Sequence, residues 1–126
     1  MEHNKREFKG NTISWIENET ILRITGMDQP DAHTVKWILT TIGEISKEFE
    51  QQVELLIDMS QVTKPTLEAR KILGELREHP DIRKFAYVGA SIILRTLINL
   101  ISKAIGRNNV RQFATEKEAL RWLKDD

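Results

Sequence analysis

Few side chains in this sequence have the type and spacing to do chemistry, and most of them gather at two points. Residues 53 to 60, Val-Glu-Leu-Leu-Ile-Asp-Met-Ser, form an apolar run that ends on a carboxylate, Asp58, and a hydroxyl, Ser60. Residues 84 to 91, Lys-Phe-Ala-Tyr-Val-Gly-Ala-Ser, repeat that form and end on Gly89 and Ser91. A carboxylate just past a buried strand can bind a ligand, or it can tie down the following loop through backbone N–H groups. Ser60 has no histidine near it in sequence, and so no evident activating base for a nucleophilic role. Gly89-Ala90-Ser91 stands between a strand and a helix N-terminus, where free N–H groups could hold an anion. The alternative is that Gly89 eases a tight turn and Ser91 caps the helix. The lysine of a phosphate loop is missing, so the structural alternative is favoured there, as it is for Asp58. His3, His33 and His79 have no partner at metal-ligand spacing and are expected to be solvated. No catalytic residue, metal or cofactor is expected, and the chain does not read as an enzyme.

The elements that must position these residues follow from periodicity. Thr12 to Ile16 and Thr20 to Ile24 carry β-branched residues around a turn-like Glu17-Asn18-Glu19, a hairpin pattern. Asp28-Gln29-Pro30-Asp31 opens a helix with acids and a proline where a helix tolerates them. Val35, Ile38, Leu39, Ile42, Ile45 and Phe49 then recur at three- and four-residue steps. The strand from Val53 to Met59 lacks alternation, as a strand covered on both faces should. Lys64-Pro65-Thr66 starts a second helix, which His79-Pro80 stops. A third helix runs from about Ser91 to Ile105 and ends at Gly106. Val110 to Ala114 is a short strand, and Thr115-Glu116-Lys117-Glu118 is a capping box for a last helix. The predicted fold is α/β: a single-domain mixed sheet of about five strands with about four helices, in the order β-β-α-β-α-β-α-β-α. Residues 1–10 are expected to be a loose leader and residues 11–126 the domain.

Composition narrows the function. At 126 residues the chain fits one domain with a real core. It has no cysteine, which excludes disulfides and thiolate catalysis and suits a cytoplasmic location. Lys and Arg total 19, as do Asp and Glu, so bulk attraction to nucleic acid is not indicated. The most apolar segment, residues 92–105, is interrupted by Arg95, Asn99 and Lys103 and is too short to span a bilayer. Charge is nonetheless uneven. Residues 82–115 hold Arg83, Lys84, Arg95, Lys103, Arg107 and Arg111 but no acid. Either a mixed surface segregates along the sequence, or a basic face awaits an anionic partner.

The third helix strains a core-only account. Ile92, Ile93, Leu94, Leu97, Ile98, Leu100, Ile101, Ala104 and Ile105 cover more of its circumference than one sheet requires. The surplus fits a pocket wall, a dimer patch, a membrane-facing surface, or burial against two neighbouring helices. Trp15, Trp37 and Trp122 are expected in the core.

The sequence also resembles the SpoIIAA-like proteins of the STAS (anti-sigma-factor antagonist) superfamily. The likeness runs from about residue 11 and is carried by Leu56-Ile57-Asp58-Met59-Ser60-Gln61-Val62, Glu68-Ala69-Arg70-Lys71, Val88-Gly89-Ala90-Ser91, and the tail from Asn109 to Leu123. It implies a mixed sheet with helices on it, related to lipid-binding Sec14-type domains. It also implies a non-catalytic regulatory or binding module that engages a protein partner. Partner-switching antagonists carry Asp-Ser-Ser-Gly or similar at the start of the second helix, which here falls on Thr66-Leu67-Glu68-Ala69. Leu67 occupies the serine position and cannot accept phosphate, so the phosphoserine switch is not carried over. Thr63 and Thr66 are nearby hydroxyls.

The leading expectation is thus a partner-binding module that uses Asp58, Ser60, Thr63 and Thr66. The alternative is a carrier or sensor of a lipid or other apolar ligand, including one held at an anionic membrane surface, with Ser91, Arg95, Lys103 and Arg107 at the contact. A homodimer belongs to the same set of expectations.

Overall fold

The computed structural model describes residues 3–16, 19–26, 31–61, 67, 71, 74, 75, 78–105 and 109–125. Six strands form one sheet in sequential order: β1 (His3–Phe8), β2 (Asn11–Ile16), β3 (Ile21–Thr25), β4 (Val53–Asp58), β5 (Ile82–Val88) and β6 (Val110–Phe113). The first three pair antiparallel, and β3 to β6 are parallel, so the sheet is mixed. Three helices are delimited among the described residues: α1 (Ala32–Phe49), α2 (Ile92–Ile105) and α3 (Glu116–Lys124). Leu67, Lys71, Gly74, Glu75 and Glu78 are also helical, and His79 is not. The start expected for that helix at Lys64-Pro65-Thr66 lies outside the described residues, as does Gly106.

The α/β class and mixed sheet are as expected. The count and order differ by one strand at the N-terminus. β1 comes from the segment read as a leader, and it makes six strands rather than five. Its sequence, His-Asn-Lys-Arg-Glu-Phe, has almost no apolar signal because β1 is an edge strand, where charge is tolerated and discourages stray pairing. Lys9 and Gly10 both have positive φ (48° and 82°), the backbone of a two-residue hairpin turn between Phe8 and Asn11. Distant contacts then hold the strand. Arg6 bonds Glu48 at 2.8 Å, and Phe8 stacks on Trp37 at 5.4 Å.

Helix placement follows from handedness. The β3–α1–β4 and β5–α2–β6 connections advance across the sheet in the same direction, so right-handed crossovers put both helices on one face. There Val35, Ile38, Ile42 and Ile45 of α1 and Leu94 and Ile98 of α2 meet Leu22, Ile24, Leu55, Ile57, Phe85 and Tyr87 in one buried cluster. The carboxylate of Asp31 caps α1 by accepting the Thr34 N–H at 2.8 Å. That bond, chiefly, holds the Asp31 carboxyl below its ordinary value.

α3 follows the last strand and is free to take the other face. Its Ala119 and Leu123 bury against Leu56 and Ala86, with Phe113 and Trp122 alongside. β4 is therefore covered on both sides, and Val53 through Ile57 are all buried, which explains its missing alternation. The Thr115 hydroxyl accepts the Glu118 N–H at 3.2 Å, as an N-cap should, and donates to the Glu118 carboxylate at 3.0 Å.

Candidate functional site

Parallel strands deliver their C-terminal ends to one edge of the sheet, where ligands of such folds usually meet the chain. Here β4 and β5 bring Asp58, Ser60, Gly89 and Ser91 together. Asp58 pairs with Val88, and the ladder runs one step further through the Met59 N–H to the Val88 carbonyl, at 2.8 Å. The Asp58 Oδ1 accepts the Ser60 N–H at 2.9 Å, which folds the chain into a tight turn. That turn lies on Gly89. Its φ is +75°, and a Cβ there would come within 3.1 Å of both the Cβ and the N of Ser60. Only glycine suits both demands. Ser91 is the cap of α2, its Oγ accepting the Leu94 N–H at 3.2 Å. Asp58 and Ser91 thus each serve a backbone N–H, while Ser60 and Gln61 stay exposed at the tip of a braced turn.

Beyond this turn the next described residue is Leu67, which is helical and 78% exposed. Thr63 and Thr66 lie outside the described residues. An apolar side chain therefore faces solvent where the sequence has no hydroxyl to offer.

The six basic residues of the acid-free stretch do not converge. Lys84 donates to the carbonyls of Trp122 (2.8 Å) and Asp125 (2.7 Å), and its Nζ stands 4.8 Å from the Trp122 ring centroid. Arg83 donates to the Leu123 carbonyl at 2.8 Å and pairs with the buried Glu54 at 3.5 Å. Arg111 lies over the other part of Trp122's surroundings, 5.6 Å from its ring centroid. These three cations serve α3: two sit at its C-terminus, where the helix dipole favours positive charge. Arg95 is exposed on α2, on the opposite face of the sheet. The Lys103 side chain and Arg107 lie outside the described residues. A single basic face formed by all six is excluded.

Other side chains resolve into structure. His79 was expected to be solvated, yet its side chain is only 14% exposed. Its Nδ1 accepts the Asp81 N–H at 3.2 Å, and its Nε2 lies 3.3 Å from the Leu39 carbonyl. The proline after it ends the helix and turns the ring inward, a tertiary effect with no periodic signal. Trp15 packs edge-on against Phe49 at 6.1 Å and also lines a shallow groove of about 160 Å³. The groove runs along the part of the second sheet face that α3 leaves open, between Ser14, Ile21, Arg23, Leu120 and Lys124. Its members are scattered over four elements, so no local motif could have marked it.

α2 keeps its apolar surplus on the outside. Leu94 and Ile98 are buried, but Ile92, Ile93 and Leu100 are 73%, 64% and 62% exposed. Among the described residues no group of three or more His, Cys, Asp or Glu is arranged to hold a metal ion. Among them, too, no helix is long and apolar enough to cross a membrane.

Comparison with curated protein sequences finds no significant match. A family model described as SpoIIAA-like matches residues 21–124, from β3 to the last residue of α3. Family proteins of this kind are non-catalytic regulatory or binding modules, for which a protein partner is the expectation. The chain belongs to the SpoIIAA-like family of the STAS superfamily.

Proposed function

We propose that this module engages a protein partner through the turn at Asp58 and Ser60 and the helix that follows it, without a phosphoserine switch. The observation that carries this is Leu67. It is 78% exposed and has no atom that accepts phosphate, and the resemblance would put it at the position of the switch serine. A contact there is apolar and constitutive, whereas a phosphoserine would gate the same surface by charge. The braced turn that precedes it in the sequence supports the proposal, since a loop already held in one conformation loses little entropy on binding. Asp58 acts by shaping the turn, and the hydroxyls of Ser60, Thr63 and Thr66 are the polar groups that this stretch of sequence offers a partner. Such an encounter belongs in the cytoplasm, which a chain without cysteine suits.

An internal apolar ligand under α2 is the weaker choice, because Leu94 and Ile98 close directly onto Phe85 and Tyr87 in the buried cluster. Self-association would use the same exposed side chains and is decided by the same experiment.

The test compares the wild-type chain with Leu67→Asp in quantitative affinity capture from the protein's own host, beside native mass spectrometry of the purified chain. The expected result is a defined protein partner that Leu67→Asp loses while unfolding behaviour is unchanged. A partner set indifferent to Leu67→Asp would sink the proposal. So would stoichiometric phosphate on Thr63 or Thr66 that alters capture, or a lipid-sized adduct retained by the native protein in place of any partner.

A further inference from the structure

We propose that β1 is the seam of a homodimer, in which the β1 strands of two copies pair antiparallel and join two six-stranded sheets into one. This goes beyond the partner site at Leu67. It is also distinct from apolar self-association through exposed helix side chains, because it runs through the backbone of an edge strand. β1 lies outside residues 21–124, so the family match carries nothing of it. Phe8 and Asn11 flank the two-residue Lys9-Gly10 turn and form a hydrogen-bonded pair, as in any hairpin of that length. Alternation gives Arg6 with Ile13, and Asn4 with Trp15, the same relation. The N–H and C=O groups of Lys5 and Glu7 therefore point outward from the sheet edge, and among the described residues they meet no backbone partner. Lys5 stands opposite Ser14, so these side chains lie on the part of the second sheet face that α3 leaves open.

Charge selects a second copy and a single register. Lys5 and Glu7 are both exposed and already pair within the strand at 3.1 Å. With a two-fold axis at Arg6, Lys5 of each copy stands opposite Glu7 of the other, and each such pair exchanges both of its backbone N–H···O bonds. The charged side chains then close a square of alternating sign. Slipping one strand by two residues in either direction sets Lys5 against Lys5 or Glu7 against Glu7, which is destabilising. The charge that discourages stray pairing thus leaves one alignment open. On the other face the axis brings the Arg6 side chains of both copies together. Each carries Glu48 at 2.8 Å and Glu44 at 3.9 Å, so the guanidinium groups meet among carboxylates that outnumber them. β4 and β5 lie inside each sheet, so the seam leaves the Asp58 turn of both copies free. The seam is short, so the dimer is weak, concentration-dependent and sensitive to salt.

The test is sedimentation equilibrium of the full chain across a wide concentration series, with amide hydrogen exchange measured at both ends of it. The expected result is a monomer–dimer equilibrium, with exchange at Lys5 and Glu7 slowing as the dimer fills. Lys5→Glu and Glu7→Lys should each weaken dimerisation by roughly fivefold or more, since both cross-strand pairs turn from attractive to repulsive. Unfolding should not change, because both side chains are exposed. The double variant Lys5→Glu, Glu7→Lys restores every pair and should recover the dimer. Mixed together, the single variants should pair with each other more tightly than either does with itself. Leu67→Asp should leave the dimer intact, so either site can fail without the other. A chain that stays monomeric throughout the series overturns the proposal. So does a dimer indifferent to both single variants, a double variant or a mixture no tighter than the singles, or a dimer that Leu67→Asp abolishes.

Discussion

α2 and α3 lie on opposite faces of one sheet, and they differ in what their outer surfaces carry. α3 turns Ala119 and Leu123 inward and presents Lys117, Glu118, Arg121 and Lys124 to water. Its N-terminus is closed by the Thr115 cap and its C-terminal carbonyls by Arg83 and Lys84. α2 is tied down along its flank, where Gln112 donates to the Arg95 carbonyl and the Asn99 side chain, each at 3.1 Å. Outside, it shows Ile92, Ile93 and Leu100. The two helices therefore bury their inner stripes alike and diverge only where folding makes no demand. A side chain that folding does not need is where function can be sought.

The inner stripes should be equivalent, and truncating them should produce the largest effects. Leu56→Ala beneath α3 and Leu94→Ala of α2 each open a cavity in a closed cluster, at a cost of roughly 2–5 kcal/mol. Urea unfolding measures both. A loss below about 1 kcal/mol for either would mean that its helix does not close a packed core.

Intermediate effects should separate the cations. Lys84→Ala removes two charged hydrogen bonds to α3 carbonyls and the contact with the Trp122 ring, which should cost about 1–2 kcal/mol at this partly exposed site. Arg95→Ala removes a side chain with no such task and should stay within about 0.5 kcal/mol. If the two variants unfold at the same denaturant concentration, the basic residues of this stretch do not divide into structural and free sets.

How far the sequence showed all this varies by element. Strands β2 to β6 and the three delimited helices carry their own periodicity and caps, and their observed bounds fall within a residue or two of those predicted, apart from the opening expected at Asp28-Gln29-Pro30, which lies outside the described residues. β1 does not, because its stability comes from Arg6 reaching Glu48 and Phe8 stacking on Trp37, partners some thirty to forty residues away. The Lys9-Gly10 turn was its only local signal. At the candidate site, the gathering of Asp58, Ser60, Gly89 and Ser91 follows from parallel strands and was foreseeable. The brace between Gly89 and Ser60 was not, since it depends on the Ser60 turn coming so close to Gly89 that a Cβ there would lie within 3.1 Å of it. The fate of the basic residues was also hidden. Arg83 and Lys84 are adjacent to ordinary strand residues in sequence and meet α3 only through the sheet's second face.

The smallest effect is the most informative about α2. Ile93→Ser and Leu100→Ser should change stability by no more than about 0.5 kcal/mol, as should Arg121→Ser on the outer side of α3. All three side chains face solvent, so neither cavity formation nor a lost cap applies. Equal indifference in folding would leave the α2 stripe with no structural reason to be apolar. A serine at Ile93 or Leu100 also removes exposed apolar surface, so these variants should bind less of a hydrophobic dye than wild type, whereas Arg121→Ser should not. If Leu100→Ser instead costs more than about 2 kcal/mol, the side chain is packed in solution, as a buried one would be. The outer stripe of α2 would then belong to the fold, like the inner one, and the contrast with α3 would be lost.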